Sequence, residues 1–496
     1  MIQFSKEYLR DKIYACWVGK NIGGTLGTPY EKEREMLDID GFASKAGEPL
    51  PNDDLDLQLV WLRAMNDLGP EHVNSKTLGE YWLSWINPNW NEYGEGKANM
   101  RDGIVPPMSG EVNNPFWRNS NGAWIRTEIW ACLYPTMVDQ AVRFAFEDAC
   151  VDHGFGEGTW AALFVAAIES AAFVCSDAAK LLEIGLSKIP ENCRVAQAVR
   201  LVIDCYRKGI SRIECRELVV KDNIDLGWFQ APANVAFVVL GLLYGEGDYK
   251  KTLIYAIDCG DDTDCTGATL GALLGIMNGM AGIPSDWREY IGDDIKSICL
   301  TNGHGRFPIN NCELTDCIFN LLPVTIRRRH RAILQDLNLA KIDEDRNFVQ
   351  LGENNDFSEL DLNAFMGRDF AASLEKRKPY SFTQEGLFAT ALVEFDEKPM
   401  ICPGGTLSGA ITVTPTGLLP EQSHYHLKYY LPEGWTVDSM KNLYTHAPHH
   451  MHLMAENKAS FVLHAGENVE ASNTVLVEIT QPGRMLPIIV VMNIMG

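Results

Sequence analysis

The spacing of apolar residues changes once along the chain, and this change limits the folds open to it. Up to about residue 335, apolar residues recur every three to four positions, as in 136–151 and 232–245, which is the period of amphipathic helices. Beyond residue 386 the period becomes two, in short runs such as ASFVLHA that are separated by turn-forming Gly and Pro. The pattern predicts an all-α domain over 1–340, a charged linker over 341–385 and a small β-sandwich over 386–496.

The composition limits the partners and the compartment. The formal net charge is −23 over 496 residues, and so acidic a surface repels nucleic-acid phosphates and anionic lipids. The 13 cysteines are scattered singly without a Cys-x-x-Cys pair, which favours reduced thiols over a disulfide framework. The N-terminal segment lacks the uninterrupted apolar core of a signal peptide. We therefore expect a cytoplasmic protein that binds neither nucleic acid nor membrane.

One segment is similar to a membrane helix. Residues 265–284 are apolar and carry a small residue at every fourth position, namely Gly267, Gly271, Gly275 and Gly279. In a bilayer such a stripe would be a helix-packing face. The segment nevertheless directly follows three aspartates and has no apolar companion segment. We therefore predict a buried helix whose glycines let another backbone approach closely.

A long segment over 87–121 interrupts the helical pattern. It is rich in Gly, Asn, Pro and aromatic residues. Long ordered loops in compact domains often serve as lids or binding loops. We expect this loop, together with Trp124, to close over a bound substrate.

Two acidic clusters stand at the starts of predicted helices. They are Asn52-Asp53-Asp54-Leu55-Asp56 and Asp261-Asp262-Thr263-Asp264. Helix capping uses one or two carboxylates at a helix start, and it stays open as the alternative explanation. Each cluster has more aspartates than capping needs, and like charges beside an apolar helix are costly without a cation. Oxygen ligands without nearby His or paired Cys favour Mg²⁺ over zinc, with Mn²⁺ or Ca²⁺ as alternatives.

Four segments, in the same order along the chain, resemble motifs of the ADP-ribosylglycohydrolase family. Asn52-Asp53-Asp54 is similar to the family's Thr-Asp-Asp, and 261–268 to its late Gly-Asp-x-Asp-Thr-x-Gly-Ala. Residues 23–31 resemble its Gly-Asp-Ala-Leu-Gly-x-Pro-x-Glu, and 121–126 its Asn-Gly-Ala-x-x-Arg, with His153 downstream. The resemblance extends over residues 8–300. It implies an all-α catalytic domain, built as a helical bundle, with a site for two metal ions.

The resemblance also implies roles for individual residues. Those expected to bind metal are Asn52, Asp53, Asp54, Asp262 and Asp264. Those expected to act in catalysis are Glu31, Asp262 and Asp264. Those expected to bind substrate are Asn121, Gly122, Arg126 and His153. From the residues alone, simpler explanations stay open: a solvated carboxylate at Glu31, a turn at Asn121-Gly122, a structural ion pair at Arg126 and an ordinary helix-end histidine at His153.

The likeness is strongest to a longer, poorly characterised branch of the family. That branch shares a Pro-Pro-x-Ser-Gly sequence, here Pro106 to Gly110, a helix start like that at Asn234, and Asp-x-Asp-Cys in the late motif. Two positions depart from the family's ligand set. Asn52 replaces a ligating Thr, although its amide oxygen can still bind a metal. Cys265 replaces a second ligating Thr, and a thiol is a poor ligand for Mg²⁺.

The resemblance implies a Mg²⁺-dependent hydrolase that cleaves the glycosidic bond of an ADP-ribosyl or related ribosyl substrate, either a small molecule or one linked to protein. Two alternatives stay open. One is a metal-dependent hydrolase of another glycoside or nucleoside, and the other is a non-catalytic protein similar to the lens crystallin that reuses this fold. The β-sandwich is expected to be an accessory or dimerisation module, which leaves a homodimer open.

Overall fold

Helices occupy the first two thirds of the chain, and strands occupy the last quarter. The computed structural model describes residues 2–300, 307–326, 349–353, 355, 357, 360–387, 389–415, 423–445 and 457–496. The helices are α1 (Lys6–Gly27), α2 (Asp53–Leu68), α3 (Ser75–Trp85), α4 (Asn91–Arg101), α5 (Met108–Glu111), α6 (Glu128–Leu133), α7 (Val138–His153), α8 (Glu157–Ala172), α9 (Ala178–Ser187), α10 (Arg194–Arg207), α11 (Arg212–Asn223), α12 (Ala231–Tyr244), α13 (Tyr249–Ile257), α14 (Thr263–Asn278), α15 (Ser285–Ile291), α16 (Asn311–Thr325) and α17 (Asp369–Glu375). This arrangement confirms the predicted all-α domain followed by β-structure.

Helices α1 and α14 lie in direct backbone contact. A Cβ atom on Gly23 would lie 1.9 Å from the carbonyl oxygen of Gly267, and one on Gly271 would lie 2.1 Å from that of Gly19. Only glycine leaves room for this approach, so the striped segment is a buried helix as predicted. Gly279 has a different role, because it ends α14 with a φ of 67°. Among the described residues, no helix combines the length and apolar character needed to cross a bilayer.

The N-terminus pairs with the segment predicted to be a linker. Strand β1 (Ile2–Ser5) runs parallel to β2 (Val349–Gly352). We expected no strand ahead of the sandwich, and this expectation is wrong, because a four-residue strand is too short to show a period. Phe4 is fully buried and its ring lies 5.4 Å from that of Phe357. Residues 341–348 of the predicted linker lie outside the described part of the chain.

The C-terminal strands form two antiparallel sheets around one core. The strands are β3 (Ser381–Glu385), β4 (Ala389–Phe395), β5 (Thr406–Pro415), β6 (Ser423–Tyr430), β7 (Thr436–Ser439), β8 (Asn442–Thr445), β9 (Lys458–His464), β10 (Ser472–Thr480) and β11 (Ile488–Met495). A 5-stranded sheet in the order β3-β4-β5-β9-β7 packs against a 4-stranded sheet in the order β11-β10-β6-β8. Alternate residues point inward, as the burial of β10 and β11 shows. The sandwich thus begins at β3, slightly before the predicted start at residue 386.

Segment 87–121 is packed and partly helical, and is not the long irregular loop that the sequence predicted; its closure over a substrate stays a prediction. It contains α4 and α5. Ile104, Met108 and Val112 are buried in the same hydrophobic core as the strands of the sandwich. Three apolar side chains this close together need a core, and the sandwich supplies it. Trp124, expected to help close the lid, is fully buried as well.

All 13 cysteines of the chain are free thiols, and most are buried. This agrees with the predicted absence of a disulfide framework. Helical cysteines such as Cys16 and Cys150 are core residues.

Candidate metal centre

The packing of α1 against α14 brings the sequence motifs together. The Thr263 hydroxyl at the start of α14 donates to the carbonyl of Gly27 at the end of α1, at 2.8 Å. Gly24 lies against the amide of Asn52, which precedes α2. A pocket opens here between the start of α2 and α1, with Asn52, Asp54 and Thr25 among its lining residues. The two acidic helix starts therefore meet beside one pocket.

Three side chains from these helix starts lie close enough to share one cation. Ligand atoms of Asp54, Asp264 and Cys265 all lie within 4.8 Å of one another, and all three residues are buried. Within the described part of the chain, Asp54 Oδ2 and Asp264 Oδ1 are buried and accept no hydrogen bond. A buried carboxylate oxygen without a partner carries a large desolvation cost. A bound cation would remove this cost.

Capping explains only part of the acidic clusters. Asn52 caps α2, since its Oδ1 accepts a hydrogen bond from the Asp54 amide at 2.6 Å. Its Nδ2 faces Asp264 at 3.3 Å, so the amide oxygen would have to leave the capping bond to bind a metal. Asp262 occupies the N-cap position of α14 but its side chain makes no capping hydrogen bond. The carboxylates of Asp54, Asp262 and Asp264 are therefore not needed to cap their helices.

Two of the remaining aspartates are oriented by neighbouring side chains. The Tyr93 hydroxyl on α4 donates to Asp53 Oδ2 at 2.6 Å. The Asn121 amide donates to Asp262 Oδ2 at 2.7 Å. The predicted metal ligands are thus either hydrogen-bonded in fixed orientations or left with a free oxygen.

Two further aspartates of the clusters have structural partners. Asp56 Oδ2 accepts from the amides of Ile298 and Cys299 at 2.5 and 2.7 Å. Asp261, which has a positive φ of 71°, accepts from Asn234 Nδ2 at 2.9 Å and from the Phe229 amide. Neither was predicted to bind metal, and both contacts explain why these carboxylates stand in the clusters.

Burial changes the protonation of the clustered carboxyl groups. It raises the pKa of Asp262 to about 7. It also raises the pKa of Asp264 well above its ordinary value, and the charges of Asp262 and Glu31 act in the same direction. Burial raises the pKa of Asp54 likewise, although the Lys20 ammonium opposes this. Without a cation the cluster therefore retains protons near neutral pH.

Glu31 lies at the edge of this cluster. It follows the short 3-10 turn Thr28–Tyr30, and its side chain is 34% exposed. The Lys32 amide donates to the carbonyl of Asp261 at 2.9 Å, and the Asp261 amide donates to that of Glu33 at 2.6 Å. These bonds hold the Glu31 segment beside the second acidic cluster. Glu31 thus has access to both solvent and the buried carboxylates.

The four residues predicted to bind substrate form one buried network with the cluster. Asn121 contacts Asp262 directly, and Gly122 has space only for a hydrogen, because a Cβ would lie 2.2 Å from Glu92 Oε1. Arg126 donates to the Gly122 carbonyl at 2.5 Å.

Arg126 and His153 are fully buried among protein side chains. Arg126 donates to Asp148 Oδ1 at 2.9 Å and to Asp152 Oδ1 at 2.7 Å. His153 lies between Asp152, 2.9 Å from its Nδ1, and the Ser120 hydroxyl, 3.1 Å from its Nε2. Burial opposes ionisation of Asp152, but Arg126 and His153 outweigh it and lower its pKa to about 2. In this geometry both residues position the Asn121-Gly122 turn, and direct contact with substrate stays a prediction.

Sequence reasoning missed a second buried charge network beneath the centre. Lys20 on α1 donates to Glu128 Oε1 at 2.7 Å, and Gln58 on α2 donates to Glu128 Oε2 at 2.8 Å. All three residues are buried. The available signal was Lys20, the one charged residue between Ile13 and Gly27 of α1. Tyr93, which holds Asp53, was missed because nothing local marks it as a partner.

Comparison with known proteins places the chain in a class. The family model described as ADP-ribosylglycohydrolase matches residues 5–307, more than half of the chain. The fold and the match together define a hydrolase that acts on glycosidic bonds. The chain belongs to the ADP-ribosylglycohydrolase family.

Other comparisons add little. No curated protein matches the chain. Among solved structures, the crystal structure of the yeast GGA1 GAE domain-P21 is similar to 22% of this chain and 94% of its own, with 10% sequence identity and a TM-score of 0.16. A score this low carries no argument about fold or function.

Proposed function

We propose that this chain is a divalent-metal-dependent hydrolase that cleaves the glycosidic bond of an ADP-ribosyl or related ribosyl substrate, with Mg²⁺ as its principal ion. The observation that carries the proposal is the pair of buried oxygens, Asp54 Oδ2 and Asp264 Oδ1, that have no partner among the described residues. Both residues stand at the starts of helices, and one ligand atom of each lies within 4.8 Å of the other. A bound cation would supply the partner that both oxygens lack.

The chemistry of the donor set fits divalent cations. Five side chains would hold two ions, with carboxylate and amide oxygens that suit Mg²⁺: Asn52, Asp53, Asp54, Asp262 and Asp264. When bound, the ions would supply positive charge at the sugar hydroxyls and at the bond that breaks. The positive ends of the two helix dipoles favour the ionised form of the carboxylates that would bind the ions.

The protein's own side chains would orient the metal ligands and take a proton from the attacking water. Asn121 fixes Asp262 and Tyr93 fixes Asp53, so each carboxylate presents one defined oxygen to the site. Glu31 is the candidate for the general base, because its partly exposed carboxylate lies beside the buried cluster and can exchange a proton with solvent. Its carboxylate would take a proton from the attacking water at the edge of the buried cluster. Asp262 or Asp264 remains the alternative base.

A turnover screen tests the proposal. The full chain with Mg²⁺, and then with Mn²⁺ or Ca²⁺, is incubated with ADP-ribosyl-arginine, ADP-ribosyl-serine, ADP-ribose esters, nucleosides and simple glycosides. We expect at least one ribosyl substrate to be hydrolysed, and a chelator to abolish the reaction. Hydrolysis of a nucleoside or glycoside alone would redirect the proposal to another substrate class. No turnover with any ion would contradict it.

Two variants connect any activity to the centre. Asp264→Asn keeps the size of the side chain but removes one charge from the cluster, and it should abolish turnover. Asp177→Asn is the matched control, since Asp177 is an exposed aspartate that caps α9 by accepting from the amides of Ala179 and Lys180. It should change stability slightly and leave turnover intact. Equal activity of both variants would place the chemistry elsewhere.

A further inference from the structure

We propose that Cys265 Sγ is a metal ligand, so that the position formed by Asp54, Asp264 and Cys265 selects a thiophilic divalent cation such as Zn²⁺ or Co²⁺ over Mg²⁺. The inference rests on the proposed function, because it concerns one position of the same metal centre. It goes further by distinguishing two kinds of position there. One has oxygen donors only, and the other contains a sulfur.

The geometry suits a mixed oxygen and sulfur position. Cys265 Sγ lies 3.5 Å from Asp54 Oδ1. In tetrahedral sites, metal–oxygen bonds of about 2.0 Å and metal–sulfur bonds of about 2.3 Å hold the two donor atoms about 3.5 Å apart. Asp264 supplies a third donor, because one ligand atom from each of the three residues lies within 4.8 Å of the other two. The donor atoms would need little movement to enclose an ion.

The identity of the atoms decides which ion is favoured. Carboxylate oxygens accept Mg²⁺ as well as transition metals, whereas a thiolate discriminates strongly against Mg²⁺. Two carboxylates and one thiolate together favour ions of intermediate softness. The thiol proton would pass to solvent when the metal–sulfur bond forms. Asp53, which lies outside this group of three, would remain on the oxygen-only side that suits Mg²⁺.

The competing explanation is that the thiol only donates a weak hydrogen bond to Asp54. In that case any small polar residue at position 265 would serve equally well, and the ion preference would not depend on sulfur. A spectroscopic probe separates the two explanations, because a cobalt–thiolate bond gives an intense near-ultraviolet charge-transfer absorption that oxygen ligands do not give.

The experiment is a Co²⁺ titration of the full chain, followed by absorption and calorimetry. Parent protein should bind Co²⁺ and develop the charge-transfer band. Cys265→Thr and Cys265→Ser should lack the band and bind Co²⁺ about tenfold more weakly or worse, with Mg²⁺ affinity unchanged or improved. Cys259→Ser is the matched control: this thiol is also buried, but it contacts the Tyr255 carbonyl at 3.3 Å. That variant should keep the band.

The possible failures are distinct. Bound Co²⁺ without the band in the parent protein overturns the sulfur ligand but leaves the metal hydrolase intact. A band that persists in both Cys265 variants does the same. Absence of binding by Co²⁺ and Mg²⁺ alike overturns this inference together with the proposed function. Two variants are used in case one of them does not fold, and the melting temperature of each shows whether it is folded.

Discussion

The Asn121 amide donates a 2.7 Å hydrogen bond to Asp262 Oδ2, although the two residues are 141 positions apart. Asn121 Oδ1 in turn accepts from the Trp124 indole at 3.1 Å, so the amide cannot rotate without losing both contacts. The turn at Asn121-Gly122 therefore fixes the direction in which Asp262 presents its other oxygen. The motif at 121–126 thus has a physical role: it orients an aspartate of the motif at 261–268.

Asn121→Ala should weaken metal binding without removing a proposed ligand. Loss of a group that orients a metal ligand typically costs about 10- to 100-fold in affinity, and we expect Mg²⁺ binding by calorimetry to fall within that range. Asn223→Ala is the control, because this buried amide donates to the Val219 carbonyl and touches none of the site residues. Unchanged Mg²⁺ affinity in Asn121→Ala would show that the orientation of Asp262 does not matter.

Stability of the metal-free protein should depend on pH through Asp262. Burial raises its folded pKa to about 7 from an ordinary value of 3.8. A raised folded pKa means that the folded state holds the proton more tightly than the unfolded chain. The resulting stabilisation is complete below a pH of about 4 and is lost as the pH rises towards about 7. The melting temperature of chelator-treated protein should therefore fall over this interval.

Saturating Mg²⁺ should reduce this fall, because the cation replaces the proton as the partner of the carboxylates. Asp262→Asn cannot titrate at this position, so its melting temperature should fall less over the same interval. Melting curves at a series of pH values, with and without Mg²⁺, supply the measurement. If the parent and Asp262→Asn have parallel pH profiles, Asp262 is not the titrating group.

Helical segments could be predicted from the sequence because their signal is local. The period of 136–151 predicted α7, observed at Val138–His153, and that of 232–245 predicted α12, observed at Ala231–Tyr244. The glycine stripe likewise predicted close packing of a backbone, although its partner, α1, could not be named. Pairing of β1 with β2 escaped prediction because it joins Ile2–Ser5 to the distant segment Val349–Gly352.

The sequence predicted which residues form the site, but not how their side chains are oriented or which partners they contact. The motifs indicated that Asp54, Asp262 and Asp264 belong together, and the structure brings them together. The sequence did not decide whether Arg126 contacts the substrate or forms a structural ion pair. Asp148 and Asp152 stand four positions apart on the buried face of α7, and this spacing was the local sign of a buried cation partner.

Gly23→Ala should destabilise the fold and the metal centre together. The new Cβ would lie 1.9 Å from the Gly267 carbonyl oxygen, and backbone cannot move aside as a side chain can. Overpacking of this kind costs about 3 kcal/mol of unfolding free energy. Separating the helices would also move the start of α14 away from Gly27.

Gly41→Ala is the matched control, because a Cβ there meets nothing within 4 Å. Its denaturation midpoint should stay close to that of the parent chain. A parental midpoint in Gly23→Ala as well would mean that the two backbones do not approach as closely as described.

The domain boundaries, with a helical domain over 1–340 and a sandwich from about residue 386, remain our proposal. A fragment ending within 341–385 should remain helical by circular dichroism. Because Ile104, Met108 and Val112 would lose the core that buries them, its melting temperature should be lower than that of the full chain, and it should bind a hydrophobic dye. A fragment with the melting temperature of the full chain would show that these contacts contribute nothing to the helical domain.

Met108→Ala in the full chain examines the same contact without truncation. Met108 is 2% exposed, and removing such a buried side chain costs about 2–5 kcal/mol of unfolding free energy. Met485→Ala, at a position that is 96% exposed, should cost almost nothing. Equal unfolding free energies for the two variants would contradict the burial of Met108.

Substitutions of Glu31 and Asp264 should affect kcat and product affinity differently if the proposed roles of the two residues are right. Asp264→Asn removes a charge from the position that would hold the cation, so turnover and affinity for the product should both collapse. Glu31→Gln keeps the shape and hydrogen bonding of a partly exposed side chain but cannot accept the proton. Loss of a general base lowers kcat by about 10²–10⁴, while the affinity for ADP-ribose, or whichever product the screen identifies, should survive.

The comparison needs kcat from initial rates and product affinity from calorimetry in the same buffer. Glu35→Gln supplies the control for Glu31, since it is an exposed glutamate four residues further along the same segment. It should retain both quantities. An unchanged kcat in Glu31→Gln would remove Glu31 from the chemistry and leave Asp262 or Asp264 as the base.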